Sequence, residues 1–342
     1  MKAVRFHEHG GREVLQYEDV PTPEPGPEEV LVRIRSCALN HFDIDLRENV
    51  SRWPLELPHI LGVEFAGDVA AVGECVEGCH DGQAVWVLHE IPCLECEYCL
   101  AGMDNLCLRA EMYSVQRPGG YADYALAPAR AVFPLPGPEW HDAAAAGQIV
   151  FTTAWHMLMA RAQLRAGETV VVSASGSGVG HAAVQIAKLA GATVIATAGS
   201  DEKLARSTED GADHVVNYSH EDVTARVLDL TGARAADVLD DDVGGEQFGA
   251  CLGSLRKKGR LVTCGGHAGE VVDFDIIPLF RNEWSVIGSR TGTVRESELV
   301  VELITAGRLV PRIHATLPLV EAAEAQRIIE AREQFGKVLL RP

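Results

Sequence analysis

Four cysteines stand close together, Cys93, Cys96, Cys99 and Cys107, in the stretch CLECEYCLAGMDNLC. Their spacing, C-x2-C-x2-C-x7-C, lets four thiolates close a tetrahedron round one Zn2+ and leaves no position open for water. Such a metal holds a loop in shape and does no chemistry on a substrate. An iron–sulfur cluster also takes clustered cysteines, and four reduced thiols without metal are the plainest alternative. Because metal binding is coupled to folding, a zinc lobe here is expected to loosen under chelators.

A second stretch with chemical potential runs from Val170 to Lys203, VVVSASGSGVGHAAVQIAKLAGATVIATAGSDEK. It opens on Val170, Val171 and Val172, the β-branched run of a strand buried on both faces. Small residues follow, Ala174, Ser175, Gly176, Ser177, Gly178, Val179 and Gly180, and then a helix is expected from His181 to Ala190. Gly191 ends it, and a second strand begins at Thr193-Val194-Ile195. Small residues at such a turn let backbone N–H groups approach a pyrophosphate lying on the positive end of the helix. The common G-x-G-x-x-G pattern is not literally present: with Gly180 in the last slot, Ser175 and Ser177 fill the first two. A βαβ crossover with a tight turn and no ligand is the alternative. At the end of the second strand, Thr197-Ala198-Gly199-Ser200 offers no carboxylate for a ribose before Asp201. Ala198 leaves room for a 2′-phosphate, Ser200 offers a donor and Lys203 a charge. This favours NADP(H) over NAD(H), and a register placing Asp201 on the ribose would reverse it.

The rest of the chain must position these two stretches. At 342 residues it exceeds what one core usually holds, so two domains are expected. A net charge of -19 argues against a nucleic acid or an anionic membrane as partner. The first residues lack the apolar run of a signal peptide. Ala143 to Ala160 has no Asp, Glu, Lys or Arg, yet it contains Gln148, Thr152, Thr153 and His156 and is barely long enough to span a bilayer. It reads as a buried helix. A cytoplasmic location is expected, and with it metal binding or free thiols rather than a disulfide framework. Cys75, Cys79, Cys251 and Cys264 read as ordinary thiols.

The N-terminal part alternates like β structure at Lys2 to Phe6, Val14 to Val20, Glu29 to Leu39, Ala66 to Val72 and Ala84 to Leu88. Beyond Ala143, helices and strands alternate. Strands are expected near Ala212 to Tyr218, Ala236 to Asp240, Gly259 to Gly266 and Ser285 to Ser289, each entered from a helix as in a doubly wound sheet. The tail carries helices at Glu296 to Ala306 and Val320 to Ala331, and closes on Phe335 to Leu340.

A β-rich lobe with a four-cysteine loop, then a dinucleotide-type lobe and a returning tail, resembles the medium-chain dehydrogenase/reductase superfamily. The shared landmarks are Leu61 to Gly67, Gly119 to Tyr124 and Gly178-Val179-Gly180. The resemblance covers essentially the whole chain. It implies an α/β protein with a Rossmann doubly wound parallel sheet at 147–287. It also implies a β-rich GroES-like catalytic domain at 1–146 and 288–342, with a structural zinc lobe at about 90–110. One structural Zn2+ per chain and a homodimer or homotetramer go with it, and the strand near Val286 is placed to pair between subunits. The implied cofactor contacts are Thr153, Ser175 to Gly180, Ser200, Lys203, Tyr218, Val243, Gly265, Gly266, Ser289 and Lys337.

The departures from zinc alcohol dehydrogenases bear on function. Where that group has its three catalytic zinc ligands, this chain has Asn40, Val63 and Ile149. Valine and isoleucine cannot bind zinc, and such a site needs about three protein ligands. A substitute site from Cys37, His41, His59 and Glu64 is the alternative. Asn40 with Asp43 instead resembles the quinone oxidoreductase branch, which reduces quinones or α,β-unsaturated carbonyls in the cleft between its lobes. That branch's active-site tyrosine is not reproduced; Asp45 stands near its place. The candidate catalytic residues are Asn40 (a donor, or a turn-stabilising amide), His41 (a proton relay or pyrophosphate contact, or a surface histidine), Asp45 (a general acid if burial raises its pKa, or an exposed carboxylate) and Glu64, which orients the site. Asp43 reads as a structural acceptor. An alcohol dehydrogenase with an atypical metal site and a low-turnover cofactor-binding sensor are the other readings.

Overall fold

The computed structural model describes the backbone of residues 1–342 and all side chains except those of Glu246, Gln247 and Ala250. The chain divides into two compact units, Met1–Ile149 with Ser297–Pro342, and Val150–Glu296. These bounds differ from the expected 146/147 and 287/288. Both divisions fall inside helices, α3 (His141–Trp155) and α9 (Val294–Thr305), where the sequence pattern has no break to mark them.

The first unit is built from β1 (Lys2–Phe6), β2 (Gln16–Asp19), β3 (Glu29–Ala38), β4 (His59–Ile60), β5 (Glu64–Val72), β6 (Ala84–Val87), β7 (Glu90–Ile91), β8 (Glu111–Met112), β9 (Tyr124–Pro128) and β10 (Val132–Pro134). The returning tail adds β17 (Ile313–Pro318) and β18 (Lys337–Arg341). Its largest sheet runs β10-β6-β5-β3-β18-β17, with β9 also on β3. β3 is the hub because its middle alternates as its sequence does: Val32 and Ile34 are buried while Arg33 and Arg35 are exposed. Helices α1 (His41–Arg47), α2 (Glu97–Leu100) and α10 (Ala322–Glu330) complete the unit with part of α3 and α9. Val14 sits in a short 3-10 turn ahead of β2 rather than in the strand. β17 goes unsignalled in the sequence because it is largely exposed and lacks a clean apolar face.

The second unit holds β11 (Thr169–Val172), β12 (Thr193–Ala198), β13 (His214–Asn217), β14 (Ala236–Asp241), β15 (Leu255–Thr263) and β16 (Ser285–Gly288). All pair in parallel, in the order β13-β12-β11-β14-β15-β16. The order reverses between β11 and β14, the switch point at which doubly wound sheets bind ligands. Val170, Val171 and Val172 have no exposure, so β11 is an unbroken apolar run. Val171, Ile195, Leu239 and Leu261 pack one core with Val216 and Val227. The connecting helices are α4 (Gly178–Leu189), α5 (Asp201–Glu209), α6 (Val223–Leu230), α7 (Glu246–Cys251) and α8 (Ile276–Arg281). α4 starts earlier than the expected His181, since the poor helix formers Gly178 and Gly180 hide its first turn. The stretch read as a buried helix is α3 followed by a π-helical turn at His156–Arg161. No helix among the described residues is long and apolar enough to cross a membrane.

Candidate active site and zinc lobe

In the first unit a polar cluster forms where β3 ends. Asn40 precedes α1, and its N–H donates to Asp43 Oδ2 at 2.9 Å. Asp43 Oδ1 accepts from the Gly62 N–H at 3.0 Å, and the Tyr121 hydroxyl donates to Oδ2 at 3.4 Å. Gly62 has φ +101°, and a Cβ there would lie 2.6 Å from the Tyr121 ring, so only glycine fits this close approach. Burial pushes the Asp43 carboxyl up to about 6, with the Asn40 and Gly62 N–H groups pulling against it. Asp43 is a structural acceptor, as expected.

Glu64 opens β5 and has no exposure. Its Oε1 accepts from the Ile149 N–H at 2.6 Å, and its Oε2 from Asn40 Nδ2 at 3.2 Å. Lys337, opening β18 and 3% exposed, donates from Nζ to Glu64 Oε2 at 3.0 Å and to Asn40 Oδ1 at 2.7 Å. Asn40, Glu64 and Lys337 therefore close on one another. The Asn40 amide is committed to this network, and the Lys337 ammonium, a candidate cofactor contact, is held by Glu64 and Asn40. This pairing is what the sequence reading missed; the signal was a lysine opening the apolar run Val338-Leu339-Leu340. His41 and Asp45 form a separate pair on α1, with Nε2 to Oδ1 at 3.7 Å and both side chains partly exposed. Val63 is buried without a ligating atom, and Cys37 is fully buried, its thiol pushed well up by burial and by Asp43 and Glu64. A catalytic zinc does not fit Asn40, Val63 and Ile149.

In the second unit the expected cofactor residues line the C-terminal ends of successive strands: Ser175 to Gly180 after β11, Ser200 after β12, Tyr218 after β13, Val243 after β14, Gly265 and Gly266 after β15, Ser289 after β16. Gly180 is required, because a Cβ would meet the Ala174 carbonyl at 2.3 Å. Ser177 caps α4, its Oγ accepting from the Gly180 N–H at 2.8 Å. The other N–H groups of the first turn have no intrahelical acceptor. A cradle with those donors fits a diphosphate. Ser175 is buried within the turn, its N–H and its hydroxyl both bonding the Thr197 carbonyl, at 2.8 and 3.0 Å. Ser200 caps α5, the Lys203 stem packs against Gly176, and the Tyr218 ring lies over Gly199. Asp201 is held by Asn217, whose Nδ2 donates to Oδ1 at 2.7 Å. The Ser289 hydroxyl is buried without a partner, an orphan that a cofactor's polar group would satisfy. Thr153 lies in α3 and is 6% exposed.

The four cysteines converge within the first unit. Cys93 and Cys99 Sγ are 4.0 Å apart, Cys96 and Cys99 3.5 Å, Cys96 and Cys107 3.9 Å. A tetrahedral Zn2+ with ordinary Zn–S bonds needs sulfurs about 3.8 Å apart. The Glu95 N–H leads in drawing the Cys93 thiol down to about 6, while burial and the neighbouring thiols push Cys99 up to about 12. Four thiolates this close cannot share the loop without a cation, so the donor set fits zinc.

Comparison with known proteins gives the same picture. Residues 26–137 match the alcohol dehydrogenase GroES-like domain, and residues 178–306 match the zinc-binding dehydrogenase family. A quinone oxidoreductase of Pseudomonas aeruginosa is 31% identical, with 100% of this chain and 99% of the relative covered. An NAD-dependent alcohol dehydrogenase of Sulfurisphaera tokodaii is 30% identical, with both chains covered completely. Among solved structures, an NAD-dependent alcohol dehydrogenase superposes with a TM-score of 0.94 at 41% identity, covering 100% of each chain. A thermostable alcohol dehydrogenase from Pyrobaculum aerophilum with bound cobalt and zinc gives 0.91 at 32%, covering 100% of this chain and 99% of that one. With its Rossmann-type sheet, GroES-like unit and four-cysteine lobe, the chain belongs to the medium-chain dehydrogenase/reductase superfamily and is an oxidoreductase.

Proposed function

We propose that this enzyme reduces quinones or α,β-unsaturated carbonyls with NADPH, using one structural zinc and no catalytic one. The observation that carries this is the wiring of the active-site cluster: two of the three positions where zinc alcohol dehydrogenases have ligands are apolar, and the third, Asn40, is bonded to Glu64 and Lys337. A bound nicotinamide supplies a hydride to carbon. The charge left on a conjugated acceptor spreads over an enolate or quinol, which hydrogen-bond donors can stabilise without a Lewis acid; an unactivated alcohol benefits from zinc. Ser177, Gly178, Val179 and Gly180 would hold the diphosphate, with Val243, Gly265, Gly266, Thr153 and Ser289 flanking. Ser200 and Lys203 would hold the 2′-phosphate, and Tyr218 the adenine ribose. The Asn217 bond to Asp201 supports NADP(H), since it occupies the carboxylate that would otherwise be offered to a ribose. His41, backed by Asp45, is the proposed proton source, and Glu64 with Lys337 holds Asn40 in place.

A second reading, an NAD-dependent alcohol dehydrogenase, is favoured by the 41% identity to a solved structure so described. Metal per chain together with paired NADH and NADPH titrations over a quinone and enone panel tests both. One zinc and NADPH-dependent enone or quinone reduction are expected. Two zinc ions, with alcohol oxidation lost to chelation, would establish the second reading instead. Tight NADPH binding with no turnover would make the chain a cofactor-binding sensor. A cytoplasmic homodimer or homotetramer acting on a small molecule completes the proposal. Supporting the assembly, β16 is a sheet edge with Val286 44% exposed, and Ile276 and Phe280 of α8 are each 64% exposed.

A further inference from the structure

Three consecutive aspartates, Asp240 and Asp241 ending β14 and Asp242 just after it, stand beside the switch point of the second unit's sheet. Asp240 has no exposure, and neither of its carboxyl oxygens has a hydrogen-bond partner. Asp241 accepts from the Gly244 N–H at 3.2 Å and from the Thr263 hydroxyl at 3.1 Å. Asp242 is 9% exposed; its Oδ2 accepts from Ser177 Oγ at 2.6 Å, and its Oδ1 is buried without a partner. The same Ser177 oxygen caps α4. A carboxyl is thus bonded directly to the residue that opens the helix on which a dinucleotide's diphosphate would rest.

Two anions at one helix start, away from water, repel strongly, and one of them gives up its charge. The diphosphate cannot be protonated near neutral pH, whereas a carboxyl can. The groups facing Asp242 pull both ways, the Ser177 hydrogen bond toward its ionised form more than any other, and it is burial that tips the carboxyl toward its neutral state. Asp240 and Asp241, at the end of β14 just before it, oppose its ionisation, and His267, beyond β15, favours it. Cys264 at the end of β15 is held as a neutral thiol by burial and by the same three aspartates. The turn itself adds only the Ser177 hydroxyl, and α5 adds Lys203, whose stem packs on Gly176. Burial, the largest influence, pushes the Asp242 carboxyl up to about 7.

We propose that Asp242 sets the affinity for the dinucleotide: it must be protonated for the diphosphate to seat on α4, so the enzyme takes up a proton from solvent as it binds NADH or NADPH. In that state Ser177 keeps its bond to Oδ2, and the negative charge one hydrogen bond away from the start of α4 is gone. The inference rests on the reading that this turn binds a dinucleotide.

The test uses NADH and ADP-ribose, neither of which carries a phosphate that titrates near neutral pH. Their Kd values are measured from pH 6 to 8.5, and proton uptake by calorimetry in two buffers of different ionisation enthalpy. Affinity is expected to fall about tenfold or more across that range, because a required proton gives up to a tenfold loss per pH unit. Net proton uptake at pH 7.5 is expected with it. Asp242→Asn, which keeps an acceptor for Ser177, flattens the profile to within about twofold and abolishes uptake; Asp242→Ser gives the same result should the amide variant fold poorly. His267→Gln keeps the slope. A flat wild-type profile without proton uptake, or a slope that survives in Asp242→Asn or vanishes in His267→Gln, overturns the inference and leaves the dinucleotide reading standing. Failure of wild-type protein to bind either probe at any pH overturns both.

Discussion

Replacing Lys337 with methionine keeps most of the side-chain volume and removes the charge that faces Glu64. The two groups are 3.0 Å apart, with side-chain exposures of 3% and 0%. At an effective dielectric of 20, unit charges at that separation attract by about 5.5 kcal/mol. Taking both ions out of water costs several kcal/mol each, so the intact pair contributes little net stability. Removing one partner is different, because Glu64 is left buried without a counter-charge, keeping only the Ile149 N–H and Asn40 Nδ2 as donors, at a cost of about 3–5 kcal/mol. Asn40 Oδ1 also loses its donor. Lys337→Met should therefore destabilise the first unit by about 3–5 kcal/mol. Glu64→Gln in the same background removes the stranded charge while leaving a carbonyl for the Ile149 N–H. The double variant should regain stability, with a coupling of about 2–3 kcal/mol, the upper end for residues in direct contact. Urea unfolding followed by near-UV circular dichroism, compared between wild type and a Trp155→Phe/Trp284→Phe background, reads this unit through Trp86, which stacks on Phe133 at 4.5 Å. A loss below about 1 kcal/mol for Lys337→Met, or a double variant no more stable than the single one, would refute the reasoning.

Cys107→Ser should lower bound zinc from one per chain to near zero, measured by mass spectrometry, and make the segment at 90–110 a preferred proteolysis site. Unchanged zinc content would count against the four-thiolate site. Lys203→Ala should weaken NADPH binding about tenfold, the value of one charged hydrogen bond, and leave NADH binding nearly unchanged; equal losses for both would remove Lys203 from the 2′-phosphate. Asp43 binds its proton more tightly folded, near 6, than at its ordinary 3.8, so folding takes up a proton between those values. The stability it contributes is complete below about pH 4 and is lost as pH rises through about 6, an amplitude of about 3 kcal/mol. Chemical denaturation of wild type and Asp43→Asn at pH 4 and 7 should show the wild-type advantage shrinking with pH, and an advantage that grows would overturn the assignment.

Local patterns carried much of this structure. The valine run of β11, the small residues before α4 and the cysteine spacing each act within a few residues, so their types alone imply strand, turn and metal cluster. The Glu64–Lys337–Asn40 network was not legible in that way. Lys337 stands 273 and 297 residues from Glu64 and Asn40; β5 paired with β3 carries Glu64 to Asn40, and β18 paired with β3 brings Lys337 to both. Ser175 stood in a glycine slot of the fingerprint, but its donors turned out to be committed to β12. The divisions between the units at 149/150 and 296/297 fall within helices α3 and α9, where no local pattern marks a break.

The second unit is one uninterrupted run, Val150–Glu296, whereas the first is made from both ends of the chain. During synthesis, every strand of the parallel sheet is made before β17 and β18 exist. β5 and β9 can pair with β3 early, but its C-terminal end at Cys37 and Ala38 must wait, with one edge unpaired, until β18 emerges. Such an exposed edge is open to pairing with other chains. Truncating the tail would thus remove far more than a terminus: it would leave the amino-terminal strands without their closing partner.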